Sequence, residues 1–527
     1  MRRVISALAA ALFCCLTLPA PAAEQSAPRW GTAEFALEAK AEYANPFQEV
    51  TLTADFTGPG GVKRTVRGFY DGGQAWRLRF MPDVEGAWSG VTHSEPKDNG
   101  LDGKRIALRC AAPKSKGPIR ADPQFPRHLI YANGEHFLHL GDTVYNLFSG
   151  KATDEQAFEF IRDAAHWRIN KFRALVWNWG EDDDLPFEVA DGAPAPDRYD
   201  LAYYRRVERY LQEMQRNGIQ AGLILAIGRR EAVRGGRKVS LSDSQMDAYM
   251  RYTIARLAAF GNVYWELENE YGHPSHQARS EENLAHYAQL VRAEDPFAHP
   301  VTCSASDSAQ RLPYLDFALF HGKFRDDVQA DHDYILRMRN DVLKGIAKPV
   351  IHDEIAYEQR MEARSFAGNG TKPDNIRKQA WANYLAGCYW TYGAAPDRWA
   401  GLLNKYRVDA AKYPELAHFE YDESAFQWFP AIARFFESVP YWRMEPADGL
   451  VTPAGNFCLA EPGREYVVQL PAGGQVEIRL KAPGPYQAAW YNPREGKYQH
   501  IGAVAAGVAS FSAPDGNDWI LHVRRSE

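Results

Sequence analysis

The feature that most constrains this chain is a hydrophobic period that changes twice along its length. From about residue 28 to 112, apolar and polar side chains alternate: Val50, Leu52, Ala54 and Phe56 interleave with Thr51, Thr53 and Asp55. That two-residue period predicts strands with one face buried. Trp76, Leu78 and Phe80 repeat it against Arg77 and Arg79, and glycine-containing turns at 58–61, 71–73 and 85–86 separate the runs. After about residue 443 the same period returns in Tyr466–Leu470, Val476–Leu480, Ala489–Tyr491 and Trp519–Val523. Between these regions the pattern is different, with short apolar runs alternating with helical stripes. One chain therefore carries two all-β regions around an α/β region.

Eight strand candidates fall in the central region: Phe137–Gly141, Lys171–Trp177, Ala221–Ala226, Val263–Glu268, Val301–Ser304, Phe317–His321, Pro349–His352 and Cys388–Thr391. Helical stripes lie between several of them. Thr153 and Gln156, and again Ser242 and Gln245, have capping-box spacing ahead of such stripes, and Leu201, Tyr204, Val207, Leu211 and Met214 form another. The expected fold is α/β, a (β/α)8 TIM barrel flanked by an N-terminal and a C-terminal β-sandwich. A doubly wound open sheet is the alternative, and the missing Gly-x-Gly-x-x-Gly turn after the first strand counts against it. The expected divisions are a signal peptide at 1–23, an immunoglobulin-like sandwich at 24–118, the barrel at 119–442 and a second sandwich at 443–527, with Lys114–Ile119 as linker.

The signal reading rests on Arg2 and Arg3, the apolar run Ile5–Leu18 and small residues up to Ala23. It predicts a secreted or periplasmic protein. The apolar run is short for a membrane span, and no later stretch is longer. Cys110, Cys303, Cys388 and Cys458 are scattered without C-x-x-C spacing, so free buried thiols are expected rather than a disulfide scaffold or zinc ribbon. A net charge of −6 over 527 residues, with no basic block, gives no nucleic-acid or anionic-membrane signal. The 14 Trp and 27 Tyr supply core, and also flat faces of the kind that stack on sugars. Oligomeric state is not legible.

Chemistry concentrates at two strand ends. Trp265-Glu-Leu-Glu-Asn-Glu270 closes one strand and Lys348-Pro-Val-Ile-His-Asp-Glu354 another, 84 residues apart. C-terminal strand ends form the working face of a barrel. Two acids there suit glycosidic cleavage with retention, which places the carboxyls about 5–5.5 Å apart. Glu270 is then the acid/base, its pKa raised by its surroundings, and Glu354 the nucleophile. Glu266, Glu268 and Glu270 share one strand parity. The first two are expected to bond basic or backbone donors, with a bulge near Asn269 resetting the parity. No metal and no cofactor is expected: His136 and His139 fall on opposite faces of a strand, and His-Glu-x-x-His is absent. The run Glu181–Asp184 reads as a solvated loop, with a calcium site as the alternative. Trp177, just before it, is a candidate sugar contact.

Asn-Glu at the end of strand four and Glu at the end of strand seven resemble the retaining barrel glycoside hydrolases of clan A. Phe137-Leu-His-Leu-Gly-Asp-Thr143 resembles the first-strand motif of apiosidase-like glycosidases. Tyr43-Ala-Asn-Pro-Phe47 and Gly68-Phe-Tyr-Asp-Gly72 resemble an immunoglobulin-like domain fused ahead of such barrels. Pro462–Val467 with Leu470–Gly474 resembles an appended sandwich named for collagen binding. The resemblance implies a carbohydrate substrate. It also implies Arg173 as the arginine bonding the nucleophile, Asn269 as the partner of a sugar hydroxyl and His321 as a residue orienting the nucleophile. Trp390 would be the aromatic platform and Asp142 a hydroxyl ligand. One departure is present: characterised apiosidases tend to carry aspartate as acid/base, where this chain has Glu270, so the resemblance does not imply apiose as the sugar. A non-catalytic carbohydrate- or matrix-binding protein and a transglycosylase are the competing functions.

Overall fold

The computed structural model describes residues 25–177, 184–226, 228, 231–272, 280–304, 306–322, 326–357, 371–394 and 425–526. The signal-peptide reading, and all of the acidic run except Asp184, lie outside these residues.

The central region is a parallel sheet of eight strands: β1 (Leu140–Thr143), β2 (Lys171–Leu175), β3 (Gln220–Ile224), β4 (Val263–Glu266), β5 (Val301–Thr302), β6 (Ala318–Phe320), β7 (Val350–Tyr357) and β8 (Tyr389–Ala394). Its order is β5-β4-β3-β2-β1-β8-β7-β6. A parallel bridge between Ser304 and Leu319 brings the two ends together, and the Asp316 N–H donates to the Val301 carbonyl at 2.8 Å. The result is a TIM barrel.

The strand ends shift by one to three residues in most cases, and two strands depart furthest from the sequence reading. The first begins at Leu140 rather than Phe137, because the Phe137 N–H donates to the Leu129 carbonyl in a small antiparallel ribbon. That ribbon pairs Ile119–Ala121 with Leu129–Tyr131, so Ile119 opens a strand instead of ending a linker. The seventh strand extends five residues beyond His352.

Three of the barrel's helices are α1 (Asp154–His166), α2 (Leu201–Arg216) and α3 (Asp243–Leu257). Both capping boxes close: Thr153 and Ser242 each accept from the backbone of the glutamine three residues on, whose side chain returns the bond. These boxes satisfy N–H groups that a helix start leaves unpaired.

The first sandwich packs a five-stranded sheet on a three-stranded one between Gln25 and Ala111. Phe56 stacks on Phe80 across the layers at 4.1 Å. It docks on α2 and α3 through buried charge: Glu208 takes Arg79 and Arg256, and Asp71 takes Arg77 and Arg256. The second sandwich pairs a six-stranded and a three-stranded sheet between Glu445 and Arg525. Its Asp518 holds Arg377 of the barrel through both oxygens, at 3.0 and 2.8 Å. Cys110, Cys303, Cys388 and Cys458 are all buried and unbridged. No helix among the described residues is long and apolar enough to cross a membrane.

Candidate active site

The barrel interior is charged, and register explains which residues face it. In a parallel sheet, residues paired across strands share a face. Gly141 pairs with Lys171, and Arg173 with Gly222, which in turn pairs with Tyr264. Lys171 and Arg173 therefore point inward. Arg173 is fully buried and bonds Glu266 with two nitrogens, at 2.8 and 2.6 Å. It also donates to Asn269 Oδ1 at 2.5 Å, Ser304 Oγ at 3.0 Å, the Tyr145 hydroxyl at 2.7 Å and Glu354 Oε2 at 3.1 Å. Burial opposes its charge, but Glu266, Tyr145 and Asp353 hold the guanidinium well above the ordinary arginine value.

Glu354 lies beside this cation with 5% of its side chain exposed. The Tyr145 hydroxyl donates to its Oε2. Burial pushes that phenol well above its usual pKa, and the Glu354 and Glu270 carboxylates add to the rise against the pull of Arg173. The proton thus stays on Tyr145, available to Glu354.

Glu270 approaches from the opposite strand. Its φ is +52°, so the chain leaves the strand line there. The turn is fixed by its own N–H donating to Ser304 Oγ at 2.8 Å and by the Tyr271 N–H donating to the Ser304 carbonyl at 2.8 Å. His321 Nδ1 stands between the acids, 3.5 Å from Glu270 Oε1 and 3.7 Å from Glu354 Oε2. That nitrogen and one oxygen from each carboxyl lie within 4.8 Å of one another. By spacing alone the trio would admit a cation, but Glu354 already shares an oxygen with the Arg173 guanidinium.

A family profile described as "Apiosidase-like, catalytic domain" matches residues 124–431, more than half of the chain. This chain belongs to the apiosidase-like family. Its barrel is a glycoside hydrolase catalytic domain acting on carbohydrate. Residues 26–95 match a domain of unknown function, DUF5060, and 452–524 match the "putative collagen-binding domain of a collagenase". No curated protein matches. The fold is similar to that of a "putative glycoside hydrolase" from Bacteroides vulgatus, at 20% identity and TM-score 0.78 over 95% of this chain and 100% of the other. A family 5 glycoside hydrolase from the same organism is similar at 17% identity and TM-score 0.63, over 78% and 94%.

In this apiosidase-like barrel, Glu270, Glu354, Asn269, Arg173 and His321 come together, and three other expected residues do not. Trp390 pairs in register with Leu140 and His352 and faces the helical layer, where its ring meets Phe429 at 5.3 Å. It is core, not a platform under the sugar. Asp142 pairs with Phe172 and Tyr392 and shares their outward face, away from the carboxyls. Trp177 is buried edge-on between Phe187 and Tyr249, at 5.1 and 5.5 Å.

The bulge also falls elsewhere than expected. It sits at Glu354, where β7 pairs Asp353 with Thr391 and Ile355 with Tyr392. His136 and His139 are separated as expected: the first bonds Asp122 and stacks on Trp442, the second bonds Thr391.

Sequence reasoning missed Tyr145, Ser304, Lys171 and the inward role of Asp353. Two of these carried a signal. Tyr145 lies two residues beyond the first strand, at the mouth, and Lys171 stands two residues before Arg173 in a run that had to be buried.

Proposed function

We propose that this apiosidase-like chain is a secreted glycosidase that cleaves with retention of configuration, with Glu354 as nucleophile and Glu270 as acid/base. The observation that carries the reading is the separation of the carboxyls, whose facing oxygens lie within 4.8 Å. Retaining enzymes hold their two carboxyls about 5–5.5 Å apart, whereas inverting enzymes need about 6.5–9.5 Å to admit a water. Glu354 Oε attacks the anomeric carbon and Glu270 gives its proton to the leaving oxygen. Water then attacks the glycosyl-enzyme, losing a proton to Glu270, and the Glu354–sugar bond breaks.

The surroundings divide these roles. Arg173 and Tyr145 place a cation and a hydrogen-bond donor on Glu354. Glu270 stands across His321 Nδ1 from Glu354, on the side from which a proton can reach the leaving oxygen. Asn269 Oδ1 accepts from Arg173, while its buried Nδ2 has no partner among the described residues. That amide is left to donate to the hydroxyl beside the anomeric carbon. Secretion rests on the leader-like residues 1–23.

The test is sugar release from a panel of poly- and oligosaccharides by the purified protein. Wild type releases sugar from at least one member and Glu354→Ala from none. Equal release by a folded Glu354→Ala removes the assignment.

A further inference from the structure

Residues 353–355 carry a conflict that strand geometry alone does not resolve. Successive side chains of a strand face opposite ways, yet Asp353 and Glu354 both reach the barrel interior. Glu354 is the extra residue of the bulge, with φ +104°, a conformation that residues with a side chain rarely adopt. Such backbone persists where its surroundings over-determine it.

Two cations on β2 do so. Lys171 Nζ lies 2.6 Å from Asp353 Oδ1, and neither side chain is exposed. Arg173 Nε approaches Asp353 Oδ2 at 3.2 Å while another Arg173 nitrogen reaches Glu354 at 3.1 Å. Asp353 and Glu354 thus share the charge of one guanidinium, whose Nε hydrogen goes to Glu266, and Lys171 is the cation that hydrogen-bonds Asp353. Burial would raise the Asp353 pKa, but Lys171 and then Arg173 hold its carboxyl well below the usual range.

We propose that Lys171 is a positioning residue: by neutralising Asp353 it pins the bulge and leaves Arg173 to Glu354. The inference rests on Glu354 being the nucleophile. Lys171 acts through Asp353 and Arg173.

The test is the pH profile of kcat for Lys171→Met and Asp353→Asn, beside Glu354→Ala. The acid limb reports ionisation of the nucleophile. Charged and titratable groups facing Glu354 are Arg173, Tyr145, His321 and Glu270. Among the described residues those facing Asp353 are Lys171, Arg173, His139 and Tyr264, and Glu266 shares Arg173.

In Lys171→Met, Asp353 draws Arg173 away from Glu354. We expect kcat to fall about 100-fold with KM nearly unchanged, and the acid limb to move up by about one pH unit. Asp353→Asn removes an anion, so its limb moves down. Opposite shifts are what general damage to the fold would not produce. A folded Lys171→Met with wild-type kcat, or limbs that stay in place in both variants, overturns the proposal. Should Lys171→Met not fold, Asp353→Asn decides: a limb that stays or rises overturns it. Retained turnover in Glu354→Ala removes the underlying reading instead. A dead Glu354→Ala with an unmoved limb in Asp353→Asn removes only the role of Lys171.

Discussion

The two acids of the site are held in different ways. Both sit on backbone with positive φ, +52° at Glu270 and +104° at Glu354, so both strand ends bend to deliver them. Glu354 lies in a bulge inside a strand, 5% exposed, against a guanidinium and a phenol. Glu270 lies beyond its strand, 24% exposed, its backbone tied to Ser304 and its carboxyl near His321. One acid is set in a fixed electrostatic cradle. The other is set at the strand end by its main chain and stands more open to solvent.

The sharpest way to break this comparison is to remove each acid in turn. Glu354→Ala is expected to abolish turnover on every substrate, measured as initial rate. Glu270→Ala is expected to lose about 10²- to 10⁴-fold on a natural linkage, and little in glycosylation by an activated aryl glycoside, which needs no proton. Equal losses on both substrates would erase the distinction.

The cradle itself is tested by Arg173→Met. The change leaves Glu266 and Asp353 buried beside one fewer cation, so unfolding free energy should fall by about 3–5 kcal/mol, read from denaturant melts. A milder change is Tyr145→Phe, which deletes one hydrogen bond to a charged group. It should cost about 1.5–3 kcal/mol of transition-state stabilisation in kcat, with the acid limb of the pH profile moving up.

The last effect, the smallest per unit of pH, concerns the layer beneath the site. Burial, with Arg339, pushes His128 down to about 3, and burial with Lys171 holds His139 well below its ordinary 6.5. As pH falls below 6.5 the unfolded chain binds protons that these two refuse when folded. Their contribution is therefore full above pH 6.5 and is lost on acidification, by up to about 1.4 kcal/mol per pH unit for each. Urea midpoints between pH 7 and 4 should fall, and less steeply in His128→Gln.

Much of this architecture was legible because period is a local property. All eight barrel strands lie at or within a few residues of their apolar runs, and both capping boxes close as their spacing predicted. The two acids followed from strand ends. What period could not supply was facing. Strands buried on both sides read as near-continuous apolar runs, so nothing in the pattern marks inside from outside. Trp390 and Asp142 were placed in the site on resemblance, and register turns both toward the helices. The bulge at Glu354 is likewise invisible locally. It needs Asp353 to meet Lys171 from a strand 182 residues away in sequence.

The most direct test of the central claim is the anomeric configuration of the first-formed product, read by proton NMR before mutarotation. A nucleophilic Glu354 opposed by Glu270 predicts a product with the configuration of the bond that was cut. A first product of the opposite configuration would contradict it.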